Sequence, residues 1–349
     1  MFPRFGWLAR VVCVAILAAG RPASAAQETV VSGDLGERVD EFMKQRAESG
    51  FSGSVLVARG GELALLKGYG LADTEDSIPN RGNTLFDLGS IAKDFTLAAV
   101  LKLEEQGRLD PSDRLYRFFP ASFTKADITI DQVMRMEAGF QEYHDEFGDF
   151  EEMTRREALG RIFEQEPLFE PGTDQAYSNS GFTLLAAMVE VATGEPFQDF
   201  VRAEFFAPAG MTTAGFYGES LVPEDRVAVG RDGAATHGER NSPPYWGEVT
   251  WALQGSGGMV GSLLDLFRWQ QALAECTVLS CAFVEKYAFY NPAQDGIRYQ
   301  AGGNDFGFVF VTIELVAEDG FIAFAQNNNP LGEEDPDLVR GLIECFRAE

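Results

Sequence analysis

Ser90-Ile-Ala-Lys93 places a hydroxyl and an amine three residues apart. Residues at i and i+3 share one helical face, so the lysine amine can reach the serine oxygen. A serine hydroxyl is a poor nucleophile at neutral pH until a neighbouring base takes its proton, and a partly buried lysine can be that base. The chemistry implied is attack on a carbonyl carbon, with a covalent acyl-enzyme as the intermediate. Spacing alone is not selective, because Ser122-Phe-Thr-Lys125 has the same pattern. That second copy follows Phe118-Phe119-Pro120 and reads as a connector between helices. Ser90 instead follows a short apolar run (84–88) and Gly89, and it precedes helical periodicity over 95–106 that ends at Gly107. The competing reading of Ser90 is a helix N-cap.

A second constellation lies 87 residues further on. Tyr177-Ser-Asn179 follows Phe169-Glu-Pro-Gly172 and opens an apolar helix over 182–191. A tyrosine held near a lysine can lose its proton more readily and shuttle protons, and an asparagine amide can orient a lysine or a substrate carbonyl. The plainer reading of the tripeptide is a loop tyrosine beside a helix cap. Only two histidines, His144 and His237, occur in the chain. They leave little room for a Ser-His-Asp arrangement and offer no metal-ligand spacing, so no metal or cofactor is expected.

The elements that must position these residues follow from hydrophobic period and turn residues. Residues 35–49 have an amphipathic helical pattern. Residues 52–58 and 63–69 are β-rich runs joined by Arg59-Gly-Gly61, a hairpin signal. The stretch 95–250 is mostly helical in pattern and is cut by Pro111, Pro120, Pro171 and Pro208. Gly255–Gly258 leads into a helix over 263–274, and 306–316, 321–326 and 336–347 read as two strands and a closing helix. The expected architecture is α+β: an antiparallel sheet built from both chain ends (26–94 and 251–349), flanked by helices, with the inserted mostly helical region 95–250. A site is then expected in the cleft between the two parts.

The first 25 residues read as a secretory signal, with Arg4 and Arg10, an apolar run over 11–19 and Ala23-Ser-Ala25 as the cleavage site. The run is too short to span a bilayer comfortably, so an exported protein without stable membrane insertion is expected. The net charge of −26 argues against nucleic-acid binding and against docking on anionic lipid. Beyond the signal, Cys276, Cys281 and Cys345 remain; Cys276 and Cys281 are closest in sequence, but their number and spacing do not fix a pairing.

Taken in order, these segments resemble the serine β-lactamase-like hydrolases, in the branch of class C β-lactamases, D-alanyl-D-alanine carboxypeptidases and esterases. The likeness runs through Phe51-Ser-Gly-Ser-Val-Leu-Val57, Phe86-Asp-Leu-Gly-Ser-Ile-Ala-Lys93, Leu103-Glu-Glu-Gln-Gly-Arg-Leu-Asp110 and Ile128-Thr-Ile-Asp-Gln-Val133. It continues through Pro171-Gly-Thr, Tyr177-Ser-Asn-Ser-Gly181 and Gly255-Ser-Gly-Gly-Met259. The resemblance implies Ser90 as acylated nucleophile, Lys93 as its base, Tyr177 in general acid/base duty and Asn179 as an orienting amide. It implies an oxyanion hole from the backbone N–H groups of Ser90 and Gly303, and a small-molecule or peptide-like substrate. The family's third motif, Lys-Thr-Gly or His-x-Gly, is here Gln300-Ala-Gly302, and the usual His-Thr-Ser-Gly loop is Met136-Glu-Ala-Gly139. Gln300 can donate a hydrogen bond to substrate but carries no positive charge for a carboxylate. An exported serine hydrolase for an ester, lactam or D-amino-acid amide is therefore expected. The alternative is a binding or scaffold protein that keeps the fold without turnover.

Overall fold

Strand Gly53–Arg59 shows why the sheet has two covered faces. Successive side chains alternate across a strand, yet Val55 and Val57 on one face and Leu56 and Ala58 on the other are all buried. The structure, a computed structural model, describes residues 29–119, 127–143, 148, 151–231, 240–304, 306–329 and 335–348. The proposed signal, Ser122, Lys125, His144 and His237 lie outside the described residues. The main sheet is antiparallel, in the order Val30–Val31, Glu62–Tyr69, Gly53–Arg59, Gly320–Gln326, Val309–Leu315, Ile297–Gly303. Both chain ends meet at its centre, where Leu56 is opposite Ala323. The expected α+β architecture is thus observed.

One face packs on helices Gly33–Glu48 and Pro336–Arg347, through Val39, Met43, Leu338, Leu342 and Phe346. The opposite face packs Leu56, Leu66, Phe310 and Ala323 in a larger core shared with helices Ala92–Glu105, Asn179–Thr193 and Leu263–Ala274. The hairpin turn expected at Arg59-Gly-Gly61 is made by Gly60 and Gly61, both with positive φ (59° and 75°). Cys276 and Cys281 form a disulfide, and Cys345 is a free thiol on the last helix. No helix among the described residues is long and apolar enough to cross a membrane.

Two features go beyond the hydrophobic pattern. The stretch expected to be mostly helical also contributes strand Gly215–Phe216, which joins Phe86–Asp87 and Met259–Gly261 in a small sheet. One edge of the main sheet is Ile297–Gly303, preceded by helix Cys281–Tyr290. The small sheet and this edge strand together hold the candidate nucleophile.

Candidate active site

Ser90 is presented by a strand, a tight turn and a helix in quick succession. Phe86–Asp87 pairs with Met259–Gly261, and Leu88 N–H continues the pairing onto the Met259 carbonyl at 2.9 Å. Gly89 then takes φ +51°, a conformation that costs glycine little. The 3₁₀ turn Gly89–Ile91 runs into helix Ala92–Glu105, whose N-cap position is Ile91, without a side-chain cap. Ser90 is therefore not the helix N-cap. Its Oγ lies 3.0 Å from Lys93 Nζ and 2.5 Å from Tyr177 Oη.

Lys93 is buried, and its amine also donates to the Ser256 carbonyl at 2.7 Å. That carbonyl belongs to the Gly255–Gly258 loop, which Thr96 Oγ1 ties to the same helix by donating to the Gly255 carbonyl at 2.6 Å. Nζ lies 4.8 Å from the Tyr177 ring centroid. The lysine is thus held in one geometry by a backbone acceptor, the nucleophile and an aromatic face.

Tyr177 reaches the site from the opposite wall. Its loop is bonded to the altered Met136–Gly139 segment: Ala176 N–H donates to the Met136 carbonyl and Gly172 N–H to the Glu137 carbonyl, at 3.1 and 2.8 Å. Ser178 then caps helix Asn179–Thr193 by accepting from Gly181 N–H at 3.0 Å. Asn179 begins that helix, and its backbone N–H donates to Glu142 Oε1 at 2.9 Å. The structure gathers Ser90, Lys93 and Tyr177, whereas Asn179 does not line the cleft around them.

The edge strand closes the third side. A Cβ on Gly302 would lie 2.3 Å from the Leu88 carbonyl oxygen and 2.5 Å from Ser90 N; a Cβ on Gly89 would lie 2.8 Å from Gly303 N. Backbone meets backbone here, and only glycine permits that approach. Asn304 N–H donates inward to the Phe308 carbonyl at 3.1 Å. Alternate N–H groups of a strand point opposite ways, so Gly303 N–H points off the edge, toward the nucleophile turn. Buried Asp87 secures the junction, accepting from Asn304 Nδ2 at 2.6 Å and Tyr217 Oη at 2.7 Å.

Gln300 lies two residues earlier on the strand and lines the same cleft of about 620 Å³. Its Oε1 accepts from Thr312 Oγ1 at 3.1 Å, and its amide N–H donates to Asp94. Asp94 also accepts from Tyr287 and, at 3.4 Å, from Asn291 Nδ2. Burial pushes its carboxyl up to about 7, against the pull of those hydrogen bonds and of the positive Arg298 and Lys93. Sequence reasoning overlooked Asp94, although the signal was present: it follows Ser90 by four residues, one turn along the same helical face. Arg135 and Glu137, also in the lining, pair with each other at 2.9 Å.

The chain is 32% identical over 276 residues to penicillin-binding protein 4* of Bacillus subtilis, covering 75% of this chain and 59% of that one. It is 30% identical over 325 residues to esterase EstB of Burkholderia gladioli, with 82% of each chain covered. The crystal structure of FmtA from Staphylococcus aureus superposes with a TM-score of 0.77 at 19% identity, covering 92% of this chain and 91% of that one. The chain spans 42 to 65% of the length of its penicillin-binding-protein and D-aminopeptidase relatives. The profile of the Beta-lactamase family matches residues 35–294, so this chain belongs to the beta-lactamase family.

Proposed function

We propose that the protein is an exported serine hydrolase that opens an ester or amide bond through an acyl-enzyme. The observation that carries this reading is the placement of Ser90 Oγ within hydrogen-bond distance of both Lys93 Nζ and Tyr177 Oη. Lys93, as the neutral amine, takes the hydroxyl proton, directly or through Tyr177 Oη, as Ser90 Oγ attacks the substrate carbonyl. The negative charge that develops on the carbonyl oxygen is met by the backbone N–H groups of Ser90 and Gly303, a form of stabilisation worth about 3 kcal/mol per donor. Tyr177 returns the proton to the leaving group, and water, deprotonated by the same pair, releases the acid. Asn179 supports the arrangement by anchoring the start of helix Asn179–Thr193, just after Tyr177, on Glu142.

Substrate choice follows from Gln300. Its neutral amide offers a hydrogen bond but no positive charge, which favours neutral esters and amides over substrates with a free carboxylate. The names of related proteins, esterase EstB and D-aminopeptidases of Gluconobacter oxydans and Brucella anthropi, support the same bond classes. The export expectation rests on residues 1–25. Gln300 also favours a second reading, a binding protein with this fold and without turnover. Turnover of p-nitrophenyl esters and labelling by a fluorophosphonate, both lost in Ser90→Ala, are expected of the hydrolase. Absence of both from the wild-type protein would leave the binding reading.

A further inference from the structure

Ser90, Lys93, Asp94 and Leu97 stand at i, i+3, i+4 and i+7, and all four line the cleft. Asp94 is therefore one helical turn from the nucleophile, with Cβ atoms about 5–6 Å apart. Among the described residues it makes no ion pair; its partners Tyr287, Gln300 and Asn291 are neutral donors. The nearby basic side chains are otherwise engaged. Lys93 donates to Ser90 and Ser256, Arg135 is paired with Glu137, and Arg298 with Glu314. A carboxylate offers about four lone-pair sites, so three neutral donors leave acceptor capacity unused.

We propose that Asp94 makes this cleft a binding site for a cationic nitrogen, an ammonium or its alkylated form, separated from the scissile carbonyl carbon by one to three atoms of the substrate. The proposal rests on the serine-hydrolase reading and names its substrate class. Gln300 removes the cation that would hold a substrate carboxylate, and Asp94 adds a charge that repels one. A cationic nitrogen beside the carbonyl under attack would lie within contact of the Asp94 oxygens, and its charge would favour their ionised form. Opposite charges at that separation in a partly enclosed cleft change an equilibrium by about tenfold or more. The nitrogen can belong to the acyl part, as in an aminoacyl ester or amide, or to the leaving group, as in a choline-type ester.

Matched substrate pairs distinguish these sources. Acetylthiocholine is compared with its uncharged carbon isostere, and D- and L-alanine p-nitroanilide with isobutyric p-nitroanilide. The wild-type protein is expected to favour the cationic member of at least one pair by about tenfold in kcat/KM. In Asp94→Asn that ratio falls to about one, and Asp94→Glu restores part of it. The pair that shows the effect locates the nitrogen on the acyl or leaving side. Equal use of charged and neutral members by wild type, or equal losses for both in Asp94→Asn, would overturn the proposal. Binding is read separately from turnover, by calorimetric titration of Ser90→Ala with choline and with D-alaninamide. At least one is expected to bind, and to be lost in Ser90→Ala/Asp94→Asn. If neither binds in an Asp94-dependent manner, the proposal fails. If binding holds but no substrate is turned over by the wild-type enzyme, only the hydrolase reading fails.

Discussion

Gly302→Ala probes the contact that joins the two oxyanion donors. The added Cβ would lie 2.3 Å from the Leu88 carbonyl oxygen, 2.5 Å from Ser90 N and 3.0 Å from Gly89 C. All three neighbours are backbone atoms, so no flexible side chain can swing aside. Restoring ordinary contact requires the strand and the nucleophile turn to part by about 1 Å. The strand is held from behind by pairing with Val309–Leu315, and its end is tied to Asp87 through Asn304. The shift therefore falls on the gap between Ser90 N–H and Gly303 N–H. A displacement of about 1 Å costs on the order of a hundredfold in rate, near the loss of one oxyanion donor. Overpacking should lower stability by about 1–3 kcal/mol, which leaves a folded protein. The assay is steady-state hydrolysis of a p-nitrophenyl ester alongside thermal denaturation. The expected result is a kcat about 100-fold lower with KM changed by less than about threefold. Gly160→Ala is the control: it lies in helix Arg155–Glu164 with open space around its Cβ position, and should gain about 0.5–1 kcal/mol without loss of kcat. A folded Gly302→Ala protein with kcat within about threefold of wild type would refute the assignment of the Ser90 and Gly303 N–H groups.

Other perturbations should separate the parts of the site. Tyr177→Phe removes the hydroxyl on Ser90 from a half-exposed side chain, so kcat should fall about 10²–10⁴-fold with Tm nearly unchanged. Asn304→Ala leaves buried Asp87 with one donor fewer, and chemical denaturation should report a loss of about 1–3 kcal/mol. Asp94 gives stability a pH dependence of known sign: its folded carboxyl titrates at about 7 against an ordinary 3.8, so the folded state holds the extra proton and stability falls as pH rises between those values. Roughly three units correspond to about 4 kcal/mol in all, of which about 3 kcal/mol falls between pH 4.5 and pH 8, so Asp94→Asn should be more favourable relative to wild type at about pH 8 than at about pH 4.5 by about 3 kcal/mol. Urea unfolding of both proteins at the two pH values checks this, and parallel pH curves would contradict it.

The fold was legible where local signals agree with tertiary demand. The β-rich runs over 52–58 and 63–69, the Gly60-Gly61 turn and the Pro-started helix Pro336–Arg347 were all legible without a structure. The edge strand was harder to see: Ile297–Gly303 ends in Gly302-Gly303 and has little alternation, because its role is backbone approach rather than side-chain packing. Strands of two or three residues, such as Phe86–Asp87 and Gly215–Phe216, are too short to show a period. In the site, Ser90, Lys93 and Tyr177 stood out because side chains carry their chemistry. The acceptor that holds Lys93 is a carbonyl, and no residue type advertises it. The Asp87–Asn304 bond spans 217 residues, so only the fold brings its partners together. Asp94 was within reach of helical spacing, but its three neutral partners come from other elements.

The central claim is that Ser90 forms the covalent intermediate. Intact-mass spectrometry after brief mixing with a slowly hydrolysed activated ester, followed by peptide mapping, tests it most directly. One acyl group per chain is expected on the peptide that contains Ser90, decaying as product appears, with none on Ser90→Ala. An adduct elsewhere in the chain, or equal acylation of Ser90→Ala, would contradict it.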